Sequence, residues 1–130
     1  MLSDHVVSID VAQQLKNLGV EQDSLFHWER LKSGEYYLQQ DEFVGAFAEE
    51  WFSAFTVSEL GILLPEWSSS HRDENGMWAA HVNATFSDVA PILDEAIEAD
   101  ARGKLLIAII EKYPDYLGSD DAQRRVGMSY

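Results

Sequence analysis

The chain has no cysteine. No disulfide is open to it, and no thiolate can hold a metal. Basic side chains are scarce: nine lysines and arginines stand against 23 aspartates and glutamates, a formal net charge of −14. The deficit is concentrated. From Asp41 to Asp100 there are thirteen acids and one base, Arg72, while the flanks together carry ten acids and eight bases. Such a field disfavours nucleic acid and anionic membranes and favours basic partners, and no basic patch argues otherwise. No apolar run approaches the roughly 20 residues that cross a bilayer. Met1–His5 lacks a basic region followed by an apolar one, so no signal peptide is expected and a cytoplasmic protein fits.

Catalytic signatures are missing too. There is no G-x-S-x-G around Ser68, Ser69 and Ser70, no glycine-rich phosphate loop, and no histidine pair at the helical spacing of a zinc motif. No cofactor is expected. What the chain does have is apolar substance: 46% hydrophobic residues and 15 aromatics, four of them tryptophan, in 130 residues. That supports one folded domain, with a core over about residues 8–113. The tail 114–130 is expected to be ordered through Tyr116 and Leu117 and frayed beyond.

The local pattern alternates helix and hairpin. Ser8 and Asp10 suit a helix start, Ile9, Val11, Ala12, Leu15 and Leu18 recur at helical spacing, and Gly19 stops the run, giving a helix over 9–18. Ser24–Leu31 and Glu35–Gln39, joined at Lys32-Ser33-Gly34, read as a β-hairpin. Asp41–Phe55 reads as an amphipathic helix through Phe43, Val44, Phe47, Ala48, Trp51, Phe52 and Phe55, or as a loop. Thr56-Val57-Ser58-Glu59 matches a capping box, which explains both a hydroxyl and a carboxylate without chemistry; Pro65 closes that helix. Asn75-Gly76 signals a second hairpin, around 67–72 and 77–83. The final helix runs through Leu105–Ile110 to Pro114, apolar nearly all round and therefore buried, and begins either at Pro91 or nearer Glu95. The expected fold is α+β: a small antiparallel sheet from two β-hairpins packed against a long C-terminal helix and two shorter ones. The order of elements suggests two similar halves, although no residues repeat.

Several groups qualify as candidate chemistry. His27 and Glu29 share a strand face, with Tyr36 or Tyr37 across the hairpin, an arrangement open to acid–base work or to a plain cross-strand polar pair. His71, Asp73, Glu74 and His81 meet at the second hairpin, as a metal site or a solvated turn. Phe43, Phe47, Trp51, Phe52 and Phe55 form either core or a partner face. Glu49, Glu50, Asp94, Glu95 and Glu98 are the residues singled out for partner binding through an acidic surface.

Ser24-Leu25-Phe26-His27-Trp28, Ala54–Pro65 (AFTVSELGILLP) and Glu98–Leu106 (EADARGKLL), in that order, resemble a family of small bacterial proteins found often in prophage regions. The family has no assigned activity and no catalytic motif, so no functional residue carries over. Gly103 departs from the alanine expected there, which suggests close packing. The resemblance implies a mobile-element protein of the bacterial cytoplasm. The functional expectation is a non-enzymatic interaction protein binding a basic host protein; in its sharper form, the acidic face imitates the phosphate charge of DNA. Alternatives are a small enzyme or metal-binding protein using His27/Glu29 or His71/His81, and an oligomeric structural subunit of a phage particle.

Overall fold

The computed structural model describes residues 1–40, 50–119 and 122. Among them are three α-helices, α1 (Ile9–Asn17), α2 (Val57–Leu63) and α3 (Glu98–Lys112), alternating with two antiparallel sheets. The first sheet contains β1 (Phe26–Arg30), β2 (Tyr36–Gln40) and β3 (Glu50–Ser53), in the order β2–β1–β3. The second contains β4 (Ser69–Arg72), β5 (Trp78–His81) and β6 (Ile92–Glu95), in the order β4–β5–β6. The α+β class holds. Each expected hairpin is present, and each gains a third strand and so becomes a sheet of its own.

Both third strands were hidden in the sequence. Trp51 and Phe52, expected in a helix or loop over Asp41–Phe55, lie instead in β3, where Trp51 pairs with Glu29 and Phe52 with Trp28. Trp51, Phe52 and Phe55 suit a helical stripe equally well, and pairing with β1 decides the outcome. Residues 41–49 of that segment, including Phe43 and Phe47, lie outside the described residues. In the same way Ile92–Glu95 is strand, and α3 begins only at Glu98, not at Pro91.

Helix α3 organises the core. Ala99, Ala101, Leu105, Leu106, Ile107, Ile109 and Ile110 are all buried. The helix packs on β4, β5 and β6 of the second sheet, and α1 and α2 lie against it. Helix α1 in turn reaches β3, so it links the first sheet to α3. The α1–α3 approach depends on Gly103. A Cβ there would stand 2.6 Å from Val11 Cγ1 and 3.1 Å from Val7 Cγ1, closer than packed carbons tolerate. The glycine is there for contact distance, at some expense of helix propensity.

Local signals build most of the remaining elements. The capping box forms as the sequence implies: Glu59 N–H donates to Thr56 Oγ1 at 3.2 Å and Thr56 N–H donates to Glu59 Oε1 at 2.9 Å. Such a cap contributes about 1 kcal/mol. Ser8 occupies the N-cap position of α1, but its hydroxyl makes no cap bond to its own helix. It turns to Asp100 in the first turn of α3, giving that carboxylate its N–H at 2.7 Å and its hydroxyl as well. One carboxylate thus faces the positive ends of two helices. The second hairpin turns over Asp73–Met77, with left-handed Gly76 and with Asp73 Oδ1 accepting from the N–H groups of Asn75 and Met77. Beyond Pro114, Tyr116 is buried and donates its hydroxyl to Leu63 O at 2.7 Å.

Candidate functional site

The two sheets place their polar side chains differently. In β1 the residues alternate. Trp28 turns to the core and donates its indole N–H to Val7 O at 2.9 Å. His27 and Glu29 point to the opposite face, and His27 Nε2 lies 3.0 Å from Glu29 Oε1. The sequence thus correctly put the pair on one face. Tyr37, not Tyr36, is the tyrosine opposite Glu29, and it gives its hydroxyl to Glu35. Trp51 meets the His27 ring edge-on at 5.9 Å. His27 is 0% exposed and Glu29 5%. A substrate has no access to either side chain in this conformation. The pair's evident work is internal: each partner satisfies a polar group that burial would otherwise penalise heavily.

The three segments that carry the family resemblance touch one another. Glu59 completes the cap of α2 with one oxygen and accepts Leu25 N–H at 3.0 Å with the other. Arg102 of α3 lies over α2 at Gly61, where a Cβ would come within 2.8 Å of Arg102 Nη1. Arg102 Nε donates to Ser70 Oγ at 2.8 Å, and Ser70 Oγ donates to Glu98 Oε2 at 2.5 Å. Here Gly61, Ser70, Glu98 and Arg102 lock α2, α3 and β4 together. These contacts explain the residue pattern as architecture.

The second sheet presents its polar groups to solvent. His71 and His81 stack across β4 and β5, ring centroids 4.9 Å apart and planes 2° from parallel. They offer two donors, and among the described residues no group of three or more histidines or carboxylates is placed to hold a metal ion. On the edge strand β6 the register slips: Ile92 pairs with Ala80 and Glu95 with Trp78, leaving Leu93 and Asp94 opposite Ala79 alone. Asp94 takes a left-handed φ of +60° at this bulge, and Leu93 is 57% exposed. Before β4, Trp67 has φ +66° and is 84% exposed.

The five acids singled out for partner binding do not act as one group. Glu49 lies outside the described residues. Glu50 pairs with Arg30 at 3.3 Å on the first sheet. Glu95 pairs with Lys104 at 2.9 Å, and Glu98 accepts from Ser70. Of the five, only Asp94 is described with neither a hydrogen bond nor an ion pair. Four further described acids of the stretch are engaged in much the same way: Glu59 in a cap, Asp73 in a turn, Asp100 between helices, and Asp88 with Tyr113 and Lys112. Glu66 and Glu74 join Asp94 as exposed acids without such a bond among the described residues. Glu66 was not singled out by the sequence.

Burial raises the Asp100 carboxyl above its ordinary range, against the opposing pull of the Ser8 hydrogen bonds. At the far end of α3 the Tyr113 hydroxyl, 2.5 Å from Asp88 Oδ1, lowers the Asp88 pKa, and the same bond raises that of Tyr113. Asp88 is exposed and Tyr113 half-buried against the core, and the contact is structural. No described helix is long and apolar enough to cross a membrane. Comparison with protein-family models, with curated proteins and with solved structures finds no match to this chain.

Proposed function

We propose that the protein is a non-enzymatic interaction protein that binds a basic partner protein through its second sheet, in the phage or prophage setting that the resemblance implies. The observation that supports this is the distribution of charge around that sheet. Glu66, Glu74 and Asp94 face solvent unpaired; of the bases nearby, Lys104 is paired with Glu95, while Arg102 and Arg72 are turned to neutral acceptors, Ser70 Oγ and Gly76 O at 3.1 Å, and keep their charge. Three exposed acids without a partner thus gather around one sheet, alongside others outside it, Asp10, Glu21, Glu111 and Asp115. The enzymatic alternative is disfavoured by the burial of His27 and Glu29.

The test is affinity capture from a bacterial host lysate, eluted with a salt gradient. A basic protein released at moderate salt is expected from the wild type. Reversing Glu66, Glu74 and Asp94 to lysine together is expected to abolish capture, whereas reversing the paired Glu50 is expected to leave it intact. Capture of the same protein by the triple variant would refute the reading.

A further inference from the structure

We propose that Trp67 is the anchor of the docking surface, its exposed indole receiving an arginine or lysine side chain of a basic polypeptide while the Glu66 carboxylate meets the charge. This rests on the reading of the second sheet as the partner-binding side, and it names the residue that gives the contact more than long-range attraction.

The backbone at Trp67 motivates the assignment. Ser68 N–H donates to Pro65 O at 3.2 Å, closing a turn over Pro65–Ser68 in which Trp67 is the third residue. With φ at +66° there, the turn takes the form that ordinarily selects glycine. A side chain in this backbone region is disfavoured, and a bulky one more so than asparagine. The conformation is imposed from outside Trp67: Ser68 Oγ also bonds Pro65 O at 2.6 Å, and the Asn83 side-chain amide holds Glu66 O. The indole recovers nothing inside the molecule, since 84% of the residue is exposed. A large aromatic held in a glycine position, on a rigid turn and facing water, is suited to contact something else.

Charge complementarity selects the occupant. Tryptophan is the best aromatic receptor for an ammonium or guanidinium group, and the adjoining Glu66 has no bond of its own among the described residues. The arrangement recurs on the other edge strand, where exposed Leu93 adjoins unpaired Asp94, again at a left-handed residue. Strands β4 and β6 flank β5, and the bulge is level with His71, four residues along from Trp67, so the two places are roughly 16 Å apart. One basic segment spans them.

The probe is a short synthetic peptide alternating arginine and glycine, titrated into the full chain at low salt and followed by calorimetry. Trp67→Gly keeps the turn, because glycine suits the φ, and its melting temperature is expected to equal or exceed that of the wild type. Its affinity for the peptide is expected to fall about 5–20-fold, with Trp67→Phe intermediate. A second variant, Glu66→Gln with Glu74→Gln and Asp94→Asn, separates the anchor from the charge. If this triple variant loses binding while Trp67→Gly binds like the wild type, the anchor is overturned and the acidic reading stands. If the wild type does not bind, or neither variant weakens it, both readings fail.

Discussion

The two sheets have the same number of strands and open from similar hairpin signals, yet they are put to different uses. In the first, the earliest strand, β1, is central, and its polar residues His27 and Glu29 are buried against each other. In the second, the strands follow in order, the histidines stack at the surface, and two left-handed residues, Trp67 before β4 and Asp94 in β6, stand at or beside acids without a partner. The halves suggested by the sequence are therefore alike in element order and unlike in topology. The comparison shows where a histidine and a carboxylate are buried against each other and where they face solvent. Burial separates the two cases; residue type does not.

The sharpest way to break that contrast is to remove one histidine from each sheet. His27→Ala is expected to destabilise the fold by about 3 kcal/mol or more, because it opens a cavity and leaves Glu29 buried without this partner. His71→Ala, at the exposed stack, is expected to change stability by no more than about 0.5 kcal/mol. Chemical denaturation of both variants measures the difference. Equal effects would mean that the two sheets are not distinguished in this way.

A smaller effect probes the joint between the sheets. Gly103→Ala ordinarily favours a helix by about 1 kcal/mol. Here the added methyl meets the stiff side chains of Val7 and Val11, so a net loss of about 1 kcal/mol or more is expected on thermal melting. A stabilised variant would show that α1 can move away from α3 at little cost.

The smallest effect is a pH slope. Asp100 has a raised pKa in the folded protein, so the folded state holds that proton more tightly than the unfolded chain does. The stabilisation is complete below the ordinary value of 3.8 and is lost as pH rises through the raised folded value. Asp100→Asn, which keeps an oxygen for Ser8, is expected to flatten this slope when denaturation midpoints are compared across the acid range. An unchanged slope would place the titration elsewhere.

What the sequence revealed was mostly local. The Thr56–Glu59 cap, the Asn75-Gly76 hairpin, the buried Leu105–Ile110 run and the close packing at Gly103 depend on neighbours within a turn or on one small residue, and all four are present. The third strands were not legible, because Trp51-Phe52 and Ile92–Glu95 become strands only by pairing with β1 and β5. The candidate site was half legible. Composition located the excess acid between Asp41 and Asp100, but only the fold shows that Glu50, Glu95 and Glu98 are engaged and that Glu66 is not. Trp67 had no signal at all, since neither its exposure nor its left-handed turn can be read from Pro-Glu-Trp-Ser.

The central claim is that the second sheet is the side that meets a partner. Isotope-labelled protein titrated with the arginine–glycine peptide tests it residue by residue, through the amide signals in nuclear magnetic resonance spectra. The account expects salt-sensitive shifts confined to Glu66–Ser68, the Leu93–Asp94 bulge and the hairpin tip at Glu74, with β1 and β2 unmoved. Shifts centred on the first sheet, or spread evenly over every exposed acid, would contradict it.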